Sequence, residues 1–194
     1  MRNRRRSVSP LIPLLVVMGV FCVNPVMADA ILSIDPSTTT VSAGSNLSVD
    51  IVVINVVDLY AFQFDLIYNP SVLYATGMAE GTFLPSGGAT FFIEGSIDNG
   101  AGSVTNVADT LLGSIAGVDG TGTLATIDFK AIAPGTGILF LDSVILLDSQ
   151  FADIPFQTVG SEIQVMPAVP EPSTLILLGC GMAGLIGLGI KRGL

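Results

Sequence analysis

What most constrains this chain is a strict two-residue alternation in its middle. In residues 47–55, Leu47, Val49, Ile51 and Val53 fall on one side and Ser48, Asp50, Val52 and Ile54 on the other. In residues 59–68, Tyr60, Phe62, Phe64, Leu66 and Tyr68 share one side, and Ala61, Gln63, Asp65 and Ile67 the other. Side chains alternate between two faces only in an extended strand; a helix would spread the same apolar groups around its circumference. Each strand therefore has one apolar face that a second layer must cover. No helical period is sustained anywhere in residues 31–166. Short apolar runs bounded by turn residues recur there at intervals of roughly 8–12 residues, the spacing of a β-sandwich. The expected fold class is all-β.

The remaining runs fit that class. Residues 31–35 alternate and stop at Asp35-Pro36, and a Ser/Thr-rich stretch leads to a turn at Ala43-Gly44-Ser45-Asn46. Asn69-Pro70-Ser71 ends the aromatic strand, because proline removes a ladder donor, and a short strand begins over residues 72–75. Phe83-Leu84, Phe91-Phe92-Ile93 and residues 104–108 are apolar groups divided by Ser86-Gly87-Gly88 and Asp98-Asn99-Gly100-Ala101-Gly102. Asn99-Gly100 is a hairpin signal. Residues 111–121 read as an irregular loop. Beyond it, Thr123, Ala125, Ile127, Phe129 and Ala131 share a strand face opposite Asp128 and Lys130. Pro134-Gly135-Thr136-Gly137 turns the chain, residues 138–141 and 144–147 read as two apolar strands, and residues 162–166 close the domain.

Several chemistries are excluded or weakened by what is missing. The chain has no His, which removes the usual general base and the commonest metal ligand, and it has no Gly-x-Ser-x-Gly nucleophile motif. Scattered carboxylates leave a glycosidase as a remote alternative, since their separations need a structure; the expectation is a non-enzymatic protein. Lys130 is the one basic residue in residues 31–169, against fourteen acidic ones. Nucleic-acid binding needs a basic patch that this surface lacks. Residues 98–103 and 119–123 come nearest to calcium loops. Neither supplies the spaced acidic series ending in Glu, so both read as hairpin turns and no cofactor is expected, calcium being the minority candidate. The aromatic stripe Tyr60, Phe62, Phe64 and Tyr68 has two readings, a sandwich core or a platform for stacking sugar rings.

The two ends are of another character. Arg2, Arg4, Arg5 and Arg6 precede an apolar run over residues 11–23 and small residues Ala28 and Ala30, the pattern of a secretory signal peptide over residues 1–30, cleaved after Ala28 or Ala30 and read by the Sec translocon. A retained signal anchor is the alternative; Phe21 before Cys22 is too bulky for lipoprotein attachment. Cys22 and Cys180 both lie in the terminal apolar runs, so the middle domain has no disulfide. At the other end, residues 167–173 form a linker holding Pro170, Glu171, Pro172 and Ser173, followed by seventeen uncharged residues, 174–190, and a basic tail over residues 191–194 with Lys191 and Arg192. A helix of that length covers about 25 Å at ~1.5 Å per residue, just short of a bilayer core of roughly 30 Å. Gly179, Ala183 and Gly187 recur at spacing four, a register that lets helices approach closely in a bilayer, and the basic pair would stay on the cytoplasmic side.

This order of parts resembles the PEP-CTERM sorting signal of Gram-negative bacteria. The resemblance implies an exosortase that recognises Pro170-Glu171-Pro172, so the inner membrane would hold the chain only transiently before it reaches the cell surface or extracellular matrix. The middle domain resembles the cohesin family and related cellulose-binding modules through Leu59-Tyr60-Ala61-Phe62-Gln63-Phe64-Asp65-Leu66-Ile67-Tyr68-Asn69-Pro70-Ser71-Val72-Leu73, a later Gly81, and residues 120–131. That resemblance implies a jelly-roll β-sandwich of about nine strands over residues 31–166, whose relatives bind a protein partner or polysaccharide. Both ligand classes stay open: a carbohydrate-binding module, or an adaptor for a dockerin-like protein.

Overall fold

The structure, a computed structural model, describes residues 29–168. The expected signal peptide, the sorting residues Pro170 to Ser173, the small-residue face Gly179, Ala183 and Gly187, and the basic stop Lys191 and Arg192 lie outside the described residues. Among the described residues the one helix is a single turn, Leu84–Ser86, and none is long and apolar enough to cross a membrane.

Eleven strands form two sheets: β1 Ala30–Pro36, β2 Thr40–Ser42, β3 Asn46–Leu59, β4 Ala61–Tyr68, β5 Leu73–Glu80, β6 Ser96–Asp98, β7 Ser103–Thr110, β8 Val118–Ala131, β9 Gly135–Leu147, β10 Phe156–Val159 and β11 Ser161–Met166. One sheet runs β10-β1-β3-β8-β5, the other β2-β11-β9-β4-β7-β6. Two strands, β2 and β6, have only three residues each; they sit at sheet edges, where short strands blunt unwanted pairing. The other nine are the number the resemblance implies.

The alternating faces meet in the middle. Val49, Ile51 and Val53 of β3, Phe62, Phe64 and Leu66 of β4, and Ala125, Ile127 and Phe129 of β8 are buried together. The aromatic stripe is therefore core, which ends its reading as a sugar platform. Phe64 and Phe129 are fully buried, and Tyr68 meets Phe129 edge-on with ring centroids 5.1 Å apart. Truncating either Phe to Ala is expected to cost about 3–5 kcal/mol.

Departures from the expected strands have local causes. Residues 138–141 and 144–147 belong to one strand, β9, interrupted by a bulge where Gln63 pairs with Ile145 but Asp65 pairs with Asp142; Ser143 takes φ 49° there. Residues 118–121, expected in a loop, open β8, and residues 119–123, expected as a turn, are strand. The β3–β8 pairing is irregular there. Asn55 and Asp58 have φ of 56° and 58°, and side chains complete the ladder: Asn55 N–H donates to Thr121 Oγ1 at 3.1 Å, Asp58 N–H to Asp119 Oδ1 at 2.6 Å. Phe83-Leu84 forms the helical turn, and its neighbour Gly81 lies where a Cβ would collide with the Thr123 carbonyl. The Asn99-Gly100 hairpin forms as expected between β6 and β7.

Candidate functional site

Core packing uses one face of each sheet; the outward faces are left for function, and the two differ. The β3-β8-β5 face is polar. Ser48 donates to Asp128 at 2.7 Å, Thr126 donates to Asp50 at 2.6 Å, and Lys130 lies between Asn46 and Tyr74 in register. The two hydroxyl–carboxylate pairs satisfy each other.

The β9-β4-β7 face is apolar at its heart. On β9, Ile138, Phe140 and Ile145 alternate with buried Leu139, Leu141 and Leu146, so the strand is apolar on both sides. Phe140 is 48% exposed and directly opposite Ile67 of β4. A second row joins Ile145, Gln63 and Ala108, and Ala108 bridges to Ile93. Residues 89–93 lie along β7 as an extra, irregular pairing: Phe91 N–H donates to Thr110 O at 2.9 Å and Ile93 N–H to Ala108 O at 2.8 Å. That segment leaves Phe91 and Ile93 60% and 46% exposed. With Gln63, Ile145 and Leu147 they wall a shallow depression of about 230 Å³.

Between the two apolar rows lies a pair of acids. Asp65 of β4 and Asp142 of β9 are direct cross-strand partners on the outward face. Like charges placed opposite one another are destabilising. Asp65 is offset in part by the Asn106 N–H, which donates to it at 2.7 Å across the β7 bulge; Asp142 has no such donor among the described residues. The face thus combines exposed Ile, Phe and Ile with an uncompensated negative charge, a pattern that suits a partner carrying apolar groups around a cation.

Other expected features are structural. Asp98 Oδ1 accepts the N–H groups of Gly100 and Ala101, capping the hairpin as an Asx turn. Asn99 ties that turn to the opposite sheet, donating to Ala75 O at 3.0 Å while its Oδ1 accepts Ala75 N–H and the Tyr68 hydroxyl, each at 2.7 Å. Among the described residues no three His, Cys, Asp or Glu side chains are grouped to hold a metal ion. The sequence reading missed the outward face because Ile138 and Phe140 are indistinguishable there from core residues. Their alternation with Leu139 and Leu141, apolar on both sides of one strand, was the available signal.

Comparison with known proteins agrees with this architecture. The Cohesin domain model matches residues 32–165, and the PEP-CTERM protein-sorting motif matches residues 168–192. No curated protein matches in sequence. Among solved structures, a non-cellulosomal cohesin from the archaeon Archaeoglobus fulgidus is similar at TM-score 0.58 and 14% identity, covering 76% of this chain and 96% of that one. A type II Cohesin-X-Dockerin complex from Acetivibrio cellulolyticus matches at TM-score 0.60 and 15% identity, covering 71% and 100%. A type I Cohesin-Dockerin complex from Clostridium thermocellum matches at 0.58 and 14%, covering 72% and 100%. At such identities the likeness shows the fold, while the domain match spans most of the chain; the protein belongs to the cohesin-domain family and carries a PEP-CTERM sorting tail.

Proposed function

We propose that this is a non-enzymatic binding protein of the cell surface or extracellular matrix, which exosortase sorts after export and which docks a protein partner on the β9-β4-β7 face. The observation that carries the docking assignment is the exposed row of Ile138, Phe140 and Ile145 around the facing Asp65–Asp142 pair. Monomeric proteins rarely leave such a patch uncovered. The structural neighbours solved as cohesin–dockerin complexes support a dockerin-like partner, and the charge of the face calls for a basic side chain near its centre.

The sorting reading rests on the tail motif. In this reading exosortase acts at Pro170-Glu171-Pro172, and the apolar residues 174–190 hold the precursor in the inner membrane until it does. Gly179, Ala183 and Gly187 keep that segment only moderately apolar.

A partner search in the native secretome, with the full-length protein and its Phe140→Asp variant, tests the docking claim. The expected result is a protein retained by the wild type and lost by the variant, with thermal melts showing both folded at the temperature of the search. A glycan array read in parallel decides against a protein partner if polysaccharide binds and Phe140→Asp abolishes that binding.

A further inference from the structure

Behind the depression on the docking face lies a carboxyl group that no hydrogen bond explains. Asp109 of β7 is in register with buried Phe62 and points into the sandwich; it is 2% exposed, the one buried charged residue among those described. Its Oδ1 accepts the Thr110 N–H at 2.8 Å, and its Oδ2 is buried with no hydrogen-bond partner. Buried polar atoms are nearly always paired, so the orphan needs a cause.

Glu80, at the end of β5 in the other sheet, supplies one. Its carboxylate lies beside Asp109 and accepts the Thr90 hydroxyl at 2.5 Å. Two carboxylates so placed both offer acceptors, and neither can donate unless one is protonated. Glu80 is the titratable group that faces Asp109; β4 contributes Phe62, β8 contributes Ala125 beside Glu80, and the 89–93 segment contributes the Thr90 hydroxyl. Glu94, farther along that segment, is exposed, and Lys130, the one base among the described residues, sits on the outer face of the opposite sheet between Asn46 and Tyr74. Among the described residues no basic side chain faces the pair.

We propose that Asp109 and Glu80 share a single proton, Asp109 Oδ2–H donating to Glu80, and that this proton latches the 89–93 segment that walls the docking depression. The chain of contacts is continuous: Asp109 to Glu80, Glu80 to Thr90, and Thr90 between the exposed Ala89 and Phe91. Burial first, then the Glu80 charge and hydrogen bond, push Asp109 up to about 7, against a smaller downward pull from the Thr110 N–H. Below that pH the pair holds its proton and the wall is fixed. Above it two ionised carboxylates repel, which displaces Glu80 and loosens its hold on the Thr90 hydroxyl, leaving the backbone bonds to β7 as the segment's fixed contacts. The regulatory meaning of the latch rests on the docking role proposed for the face; the latch itself does not.

Hydrogen exchange of the Phe91 and Ile93 amides in the full-length protein in mild detergent, without partner, tests the latch. Rates are compared at pH 5.5 and pH 8.5 after correction for intrinsic exchange. The expected result is protection that falls about tenfold or more at the higher pH in the wild type. It should stay level in Asp109→Asn or Glu80→Gln, whose amide N–H replaces the proton. Wild-type protection independent of pH overturns the proposal, as does an equal fall in a folded variant. Partner affinity measured at the same two pH values reads the docking role separately: a pH-dependent latch with pH-independent binding keeps the latch and rejects its regulatory use.

Discussion

Asn99 shows how one side chain can replace a strand-to-strand contact. It meets the peptide group of Ala75 as a backbone unit would, through one donated and one accepted bond, and takes the Tyr68 hydroxyl as well. Asn99→Ala leaves these half-buried groups unpaired and is expected to lower unfolding free energy by about 2–4 kcal/mol, read as a shift in denaturant midpoint at constant slope. Asp109 gives stability a pH dependence. Its native form keeps a proton that the unfolded chain loses above 3.8. Stability therefore falls as pH rises from about 4 to about 7, by up to about 1.4 kcal/mol per unit, and levels off above. Asp109→Asn should flatten that slope in pH-dependent melts. Asp58 works in the opposite sense. Bonds from the Ser149 hydroxyl, the Gly117 N–H and the Ser149 N–H hold its carboxyl below the ordinary range. Its contribution is present above the ordinary carboxylate pKa and is lost as pH falls through the lowered one. Asp58→Asn should weaken acid dependence at the low end alone.

Among the elements, β3, β4 and the second half of β8 were legible because their alternation is strict, and period two admits one reading. β9 was legible only as two pieces. The bulge at Asp142 and Ser143 breaks its apolar run in sequence, while Gly135 to Leu147 remains one strand in space. The start of β8 was illegible for a related reason: Gly120, Thr121 and Gly122 carry no apolar pattern, and side chains rather than regular ladder bonds hold that stretch against β3. Site residues were harder still, since an exposed Phe140 and a buried Phe64 look alike in sequence and only sheet order separates them. The docking strand itself should tolerate change on its outer side. Ile138→Thr and Phe140→Ser, which keep β-compatible side chains outside the core, are expected to move stability by about 0.5 kcal/mol or less. Partner affinity should fall at least about tenfold, as loss of a central apolar anchor requires.

Across the whole molecule, the chain enters and leaves at opposite ends. Ala30 is buried at the start of β1, its N–H donating to Pro155 O beside the end of β9, whereas Val165 pairs with Gly135 at the start of β9. Those ends are separated by most of a thirteen-residue strand, about 36 Å at ~3.3 Å per residue. Ala30 contributes a buried side chain and a strand hydrogen bond, which favours signal cleavage after Ala28; mass spectrometry of the mature protein should give Asp29 as the first residue. Alanines at Pro170, Glu171 and Pro172 should leave the precursor in the inner membrane, and undiminished release would contradict exosortase processing.

The most direct test of the docking face is crosslinking in the secreting cell. A photocrosslinking amino acid is placed in the full-length protein at Phe140, or at Tyr74 on the polar face as a control. The prediction is a discrete protein adduct from the Phe140 position and none from Tyr74. An adduct from Tyr74 alone, or equal labelling at both, would contradict docking on the β9-β4-β7 face.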